Sequence, residues 1–132
     1  MNWAIISLII TVALIFAYFS PDARKERRFK ADLVKRRPLA DAELFATYFE
    51  GTQVSADMPG RVRRIFAEQM EYPADRLLPD DDFLFFWNEL DAAPLVNALE
   101  REFSVKLTEE DTSRMQFTIR AVSRVMADVC RG

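Results

Sequence analysis

Seventeen consecutive residues, Trp3 to Phe19 (WAIISLIITVALIFAYF), carry no charge, and their polar members are only Ser7, Thr11 and Tyr18. A helix that is apolar all round cannot rest on the surface of a small domain, because it has no polar face to turn to water. At 1.5 Å per residue the run is roughly 25 Å long, near the lower limit for crossing ~30 Å of hydrocarbon. Trp3 and Tyr18 stand near its two ends, where amphipathic rings favour the membrane–water interface. Ser20-Pro21 then interrupts the pattern, since the residue before a proline avoids the α region. A cleaved signal peptide wants a charged segment ahead of the apolar run and a small-residue cleavage site. Met1-Asn2 offers only the terminal amine, and Ala17-Tyr18-Phe19 is a poor site. Residues 1–20 are therefore read as an uncleaved transmembrane anchor, buried in a lipid bilayer through residues 3–19.

Charge is distributed as unevenly as hydrophobicity. Between Ser20 and Arg37 eight Lys or Arg face three acids, a net +5. The whole chain is −3, so Pro38 to Gly132 carries −8. Residues 21–37 thus form a basic neck joining the anchor to an acidic body. The basic residues all follow the apolar run, which predicts a cytoplasmic C-terminal body, with a bacterial inner membrane as the expected site. Arg24, Lys25, Arg27 and Arg28 then fall at the depth of the lipid headgroups. The acidic body argues against nucleic acid as a partner, because phosphate contacts require Lys and Arg.

The chain has no histidine, which removes the commonest general base and the commonest transition-metal ligand. Its single cysteine, Cys130, has no intramolecular disulfide partner and fits no metal or lipidation spacing. It is read as a plain apolar residue of the last helix. No cofactor is expected, and no catalytic residue or metal ligand is nominated. Asp80-Asp81-Asp82 invites a divalent cation, but three consecutive carboxylates converge poorly on one ion, and a solvated loop is the expectation. Glu89 with Asp91 has no nucleophile or histidine beside it and reads as surface charge.

The body reads as all-helical. Leu44, Phe45, Tyr48 and Phe49 share one face of a short helix that ends near Gly51, within a segment 38–57 that packs on the main domain. In residues 58–132, Asp57 is placed to cap a helix starting at Met58-Pro59, whose Val62, Ile65, Phe66 and Met70 face a core. A long loop with two prolines follows. Leu95, Leu99 and Phe103 mark a second amphipathic helix after Asp91, with Pro94 in its first turn. Thr108 is placed to cap a short third helix and Thr118 the last one, whose apolar stripe is Ile119, Val122, Val125, Met126 and Val129.

Taken together, Arg61 to Val129 resembles an acyl carrier protein. Val62-Arg63-Arg64-Ile65-Phe66-Ala67-Glu68-Gln69 resembles the family's first helix. Pro79-Asp80-Asp81-Asp82-Phe83 resembles its loop, Leu95 to Phe103 its second helix, and Phe117-Thr118-Ile119 the entry to its last. The resemblance covers just over half the chain. It implies a four-helix bundle, here with an anchor and an extra short helix in front. The family presents Asp-Ser-Leu at the start of the second helix, where the serine takes a phosphopantetheine arm. This chain has Asn88-Glu89-Leu90 there, in a loop about two residues short. The serine is either replaced by Glu89 or deleted, and no serine lies between Ser55 and Ser104. A carboxylate cannot hold the arm as a stable phosphodiester. The resemblance therefore implies the carrier fold without covalent carriage.

The expected role is a non-enzymatic adaptor or accessory subunit of a membrane complex. Glu89, Asp91 and Glu100 would meet a protein with a basic surface. Phe83 to Trp87 is an unbroken bulky apolar run that divides between core and an exposed aromatic hot spot, with Phe85, Phe86 and Trp87 as candidates. A different class of function also fits: an acyl-chain or lipid-handling component that binds its ligand non-covalently.

Overall fold

The structure is a computed structural model that describes residues 2–83 and 92–131. It divides into two compact units, Met1–Lys35 and Arg36–Gly132. Among the described residues there are seven α-helices, one short 3-10 turn and no strand. The all-α expectation is met.

The first unit holds α1 (Trp3–Tyr18) and α2 (Pro21–Lys35). In α1 the Asn2 side chain caps the N-terminus by accepting from the Ala4 N–H. No residue of α1 is buried; Trp3 is 82% exposed and Phe16 73%. The helix is 16 residues, about 24 Å long. No single helix among the described residues is long and apolar enough to cross a membrane. By length and composition, α1 with Ala23–Lys35 makes a pair that does so only with a 54° bend. The basic neck is helical through Lys35.

The second unit is built around α4 (Met58–Met70). Against it pack α3 (Asp41–Tyr48), the 3-10 turn Ala74–Arg76, α5 (Ala93–Phe103) and α7 (Ile119–Arg131), while α6 (Glu109–Ser113) links the last two. Val62, Ile65, Phe66 and Met70 are buried as their spacing predicts, and so are Leu95, Leu99, Ile119, Val122, Val125 and Met126. Val129 and Phe103 are only half-buried at the ends of their stripes. The short helix docks through Leu44 and Phe49. Its end turns on Phe45, whose carbonyl accepts from the N–H of both Phe49 and Glu50, and Gly51 follows at φ +83°, where only glycine is unstrained.

Caps divide into two groups. Thr108 and Asp111 form a reciprocal capping box, and the Thr118 hydroxyl accepts from the Ala121 N–H at 3.1 Å. Pro94 sits in the first turn of α5 as required. Asp57, by contrast, does not cap α4. Its backbone is already helical, and its carboxylate accepts instead from Ser55 Oγ (2.9 Å) and Arg61 Nη1 (3.4 Å). Cys130 lies on the last helix, as expected, and is exposed near its C-terminal end.

Candidate functional site

The first candidate is the elbow between α1 and α2. A helix C-terminus leaves carbonyls without partners, and in α1 arginines from the next helix supply them. Arg27 Nη1 donates to the Tyr18 carbonyl, and Arg24 Nε donates to the Phe19 carbonyl at 3.2 Å. The Arg27 guanidinium also lies 3.9 Å from the centre of the Tyr18 ring, which meets Phe19 edge-on at 5.2 Å. Cation and aromatic are thus joined at one level. Ser20 serves both helices: its hydroxyl donates to the Ala17 carbonyl (3.0 Å) and accepts from the Ala23 N–H (3.2 Å). Pro21, which has no N–H to satisfy, opens α2. Within α1 the Thr11 hydroxyl donates back to the Ser7 carbonyl at 2.8 Å. Of the residues expected at a membrane interface, the structure groups Tyr18, Arg24 and Arg27, leaves Lys25 and Arg28 exposed on α2, and puts Trp3 at the far end of α1.

The acidic run is the second candidate, and it is not simply a solvated loop. Asp81 makes a two-pronged pair with Arg36 (2.6 and 2.8 Å) and also accepts from the Leu78 N–H. Arg36, read from the sequence as neck, belongs to the second unit. Asp80 makes a second two-pronged pair, with Arg120 (2.6 and 2.9 Å). The Arg120 guanidinium beside it holds the Asp80 carboxyl below the usual carboxylate range. Arg120 also donates to the Tyr48 carbonyl and lies 5.5 Å from the centre of the Phe49 ring, so one side chain ties the loop, α3 and α7 together. Phe83 ends the run fully buried, against Phe66 at 5.3 Å between ring centres. Among the described residues no cluster of three or more His, Cys, Asp or Glu could hold a metal ion.

Arg63 escaped the sequence reading. It is 1% exposed, and its Nη2 donates to the Leu39 carbonyl (2.7 Å) and to Asp41 Oδ1 (2.8 Å). The signal was available: Arg63 is two turns before Met70 and so shares its buried face. Arg61, on another face of α4, donates to the Glu102 carboxylate (2.9 Å) and backbone carbonyl (2.8 Å) and lies 4.3 Å from the centre of the Phe103 ring, fastening the start of α4 to the end of α5.

Glu100 is half-buried, and its Oε2 accepts from the Leu107 N–H at 2.8 Å, closing the turn after α5. Beside it lies an open groove of about 630 Å³ lined by Gln69, Pro94, Asn97, Arg101 and Lys106 among others. The other interaction candidates, Phe85, Phe86, Trp87, Glu89 and Asp91, lie outside the described residues, as does the position matching the carrier serine. No protein-family model and no solved structure matches the chain.

Proposed function

We propose that this protein is a non-enzymatic adaptor, tethered to a membrane by α1 and binding a protein partner through a carrier-like helical body that holds no phosphopantetheine. The observation that carries the tether is α1 itself, a helix whose side chains are almost all apolar and none of which is buried. Water is a poor solvent for such a surface. A helix lying flat in the interface would want a charged face, which α1 lacks. The hydroxyl of Thr11 is satisfied inside the helix, as a hydrocarbon environment demands. Twenty-four ångströms is short of the average core, and short spans are met by local thinning and by flanking residues that reach for the headgroups.

The adaptor half rests on sequence. Among the described residues, 58–131 hold α4, the 3-10 turn Ala74–Arg76, α5, α6 and α7. Helix, long loop, helix, short helix, helix is the order read from the sequence, and it is the one the carrier resemblance implies. The chain has no serine between Ser55 and Ser104 to take an arm. A body that carries nothing covalently gains from a tether by its raised effective concentration near a membrane-side partner. Two measurements test the proposal on the full chain. Alkaline carbonate washing of membranes should leave the protein in the pellet; release into the supernatant would remove the tether. Intact-mass analysis after incubation with coenzyme A and a phosphopantetheinyl transferase should give an unchanged mass; a gain of one arm would make the protein a true carrier.

A further inference from the structure

We infer that one face of α2 is a binding surface for anionic phospholipid headgroups of the same bilayer that holds α1, an inference that rests on the tether reading. Arg24, Arg28 and Lys35 are spaced i, i+4 and i+11, which puts them in one line along the helix, and Lys25 lies beside Arg28 at i, i+3. All four are exposed. Ordinary solvated helices neutralise such a stripe by pairing it with acids one turn away, as Lys30 pairs with Glu26 at 3.3 Å on another face. Asp32 stands one turn from both Arg28 and Lys35 but pairs with neither. Among the described residues no such partner meets Lys25, Arg28 or Lys35.

Position supplies the occupant. The stripe begins where the apolar helix ends, and Arg24 and Arg27 are already turned toward the last carbonyls of α1. If Tyr18 sits at the interface, the next turns of α2 run through the headgroup layer. A neutral headgroup offers this stripe no net attraction, whereas a lipid phosphate with net negative charge does. Each Lys or Arg close to an anionic surface is worth about a fivefold preference, from about 1 kcal/mol. The chemistry favours a diffuse electrostatic surface over a single pocket, so several headgroups share the stripe and salt weakens it.

The test uses the full chain reconstituted into bilayers of phosphatidylcholine alone or mixed equally with phosphatidylglycerol. Flotation after a carbonate wash reads the tether. Selectivity of spin-labelled phosphatidylglycerol over spin-labelled phosphatidylcholine at the protein boundary reads the stripe. We expect flotation from both bilayers, a several-fold selectivity for phosphatidylglycerol at low salt that shrinks at 1 M salt, and its loss in K25Q/R28Q/K35Q, whose substitutions touch no packed side chain. Flotation without selectivity, or selectivity that survives the triple substitution, would overturn the inference and leave the tether standing. Carbonate-sensitive binding to the anionic bilayer alone, lost in the triple variant, would instead overturn the tether and keep the stripe. No binding to either bilayer would overturn both.

Discussion

The Arg63 guanidinium donates to the Asp41 carboxylate at 2.8 Å, and that carboxylate lies where a side chain on Gly60 would have to go. A Cβ built on Gly60 would meet Asp41 Cγ at 2.6 Å and its two oxygens at 2.8 and 2.9 Å. The glycine is therefore explained by a salt bridge made by a residue on another helix.

This relationship predicts non-additivity. Gly60→Ala alone should destabilise the body by about 1–2 kcal/mol, because it displaces Asp41 from a buried arginine. Asp41→Ala alone should cost about 1–3 kcal/mol, softened by the Leu39 carbonyl that still accepts from Arg63. With Asp41 already alanine, Gly60→Ala should change sign and stabilise by up to ~1 kcal/mol through helix propensity. Urea unfolding of the four variants checks it, and simple additivity would refute the account.

The acidic loop predicts a pH dependence. Arg120 lowers the Asp80 pKa in the folded protein, so the pair's contribution is fully present above the unfolded-state value of about 3.9. It is lost as the pH falls below that value toward the folded pKa. Wild type should therefore lose stability below about pH 4 more steeply than Asp80→Asn, whose curve lacks this proton. Denaturant midpoints between pH 2 and 6 measure the difference. Parallel curves would mean that the pair contributes nothing in solution.

Ser123 predicts a gain. Its side chain is fully buried on α7, and its Oγ has no hydrogen-bond partner among the described residues. Ser123→Ala removes a desolvated hydroxyl at almost no cost in volume. Stability should stay level or rise by up to about 1 kcal/mol. A thermal melt that falls by several degrees would show that the hydroxyl is satisfied in solution.

The tether predicts a loss. Ile10→Arg puts a charge at the middle of α1, where insertion costs about 2.5–3.5 kcal/mol. The variant should shift from the carbonate-resistant pellet to the supernatant, while the circular dichroism of the body is unchanged. Full retention in the pellet would count against α1 as the anchor.

What could be read from sequence follows from what sets each feature. The core stripes of α4, α5 and α7 obey a single period, so Phe66, Leu99 and Met126 declare themselves. Thr108 and Thr118 are legible because capping is local. Asp57 is not, because a neighbouring serine and Arg61 compete for its carboxylate. The roles of Arg36, Arg63 and Arg120 were hidden for a different reason. Each finds its partner across roughly 20 to 45 residues of chain, a distance that no period or local motif reports. Glu100 looks like surface charge in a sequence and becomes a turn's acceptor only once Leu107 is brought back to it.

The paired arginines have a consequence for how a charged partner would approach. Asp80 and Asp81 belong to one of the chain's two runs of three consecutive acids, yet each of these two carboxylates is matched by its own guanidinium and sends out little beyond a short-range dipole. The long-range field of the body arises elsewhere, from exposed acids such as Glu68, Glu71, Asp75, Glu109 and Glu110, which among the described residues are in no arginine pair. A basic molecule diffusing in would be steered toward those carboxylates, and the loop that looks like the magnet is nearly silent.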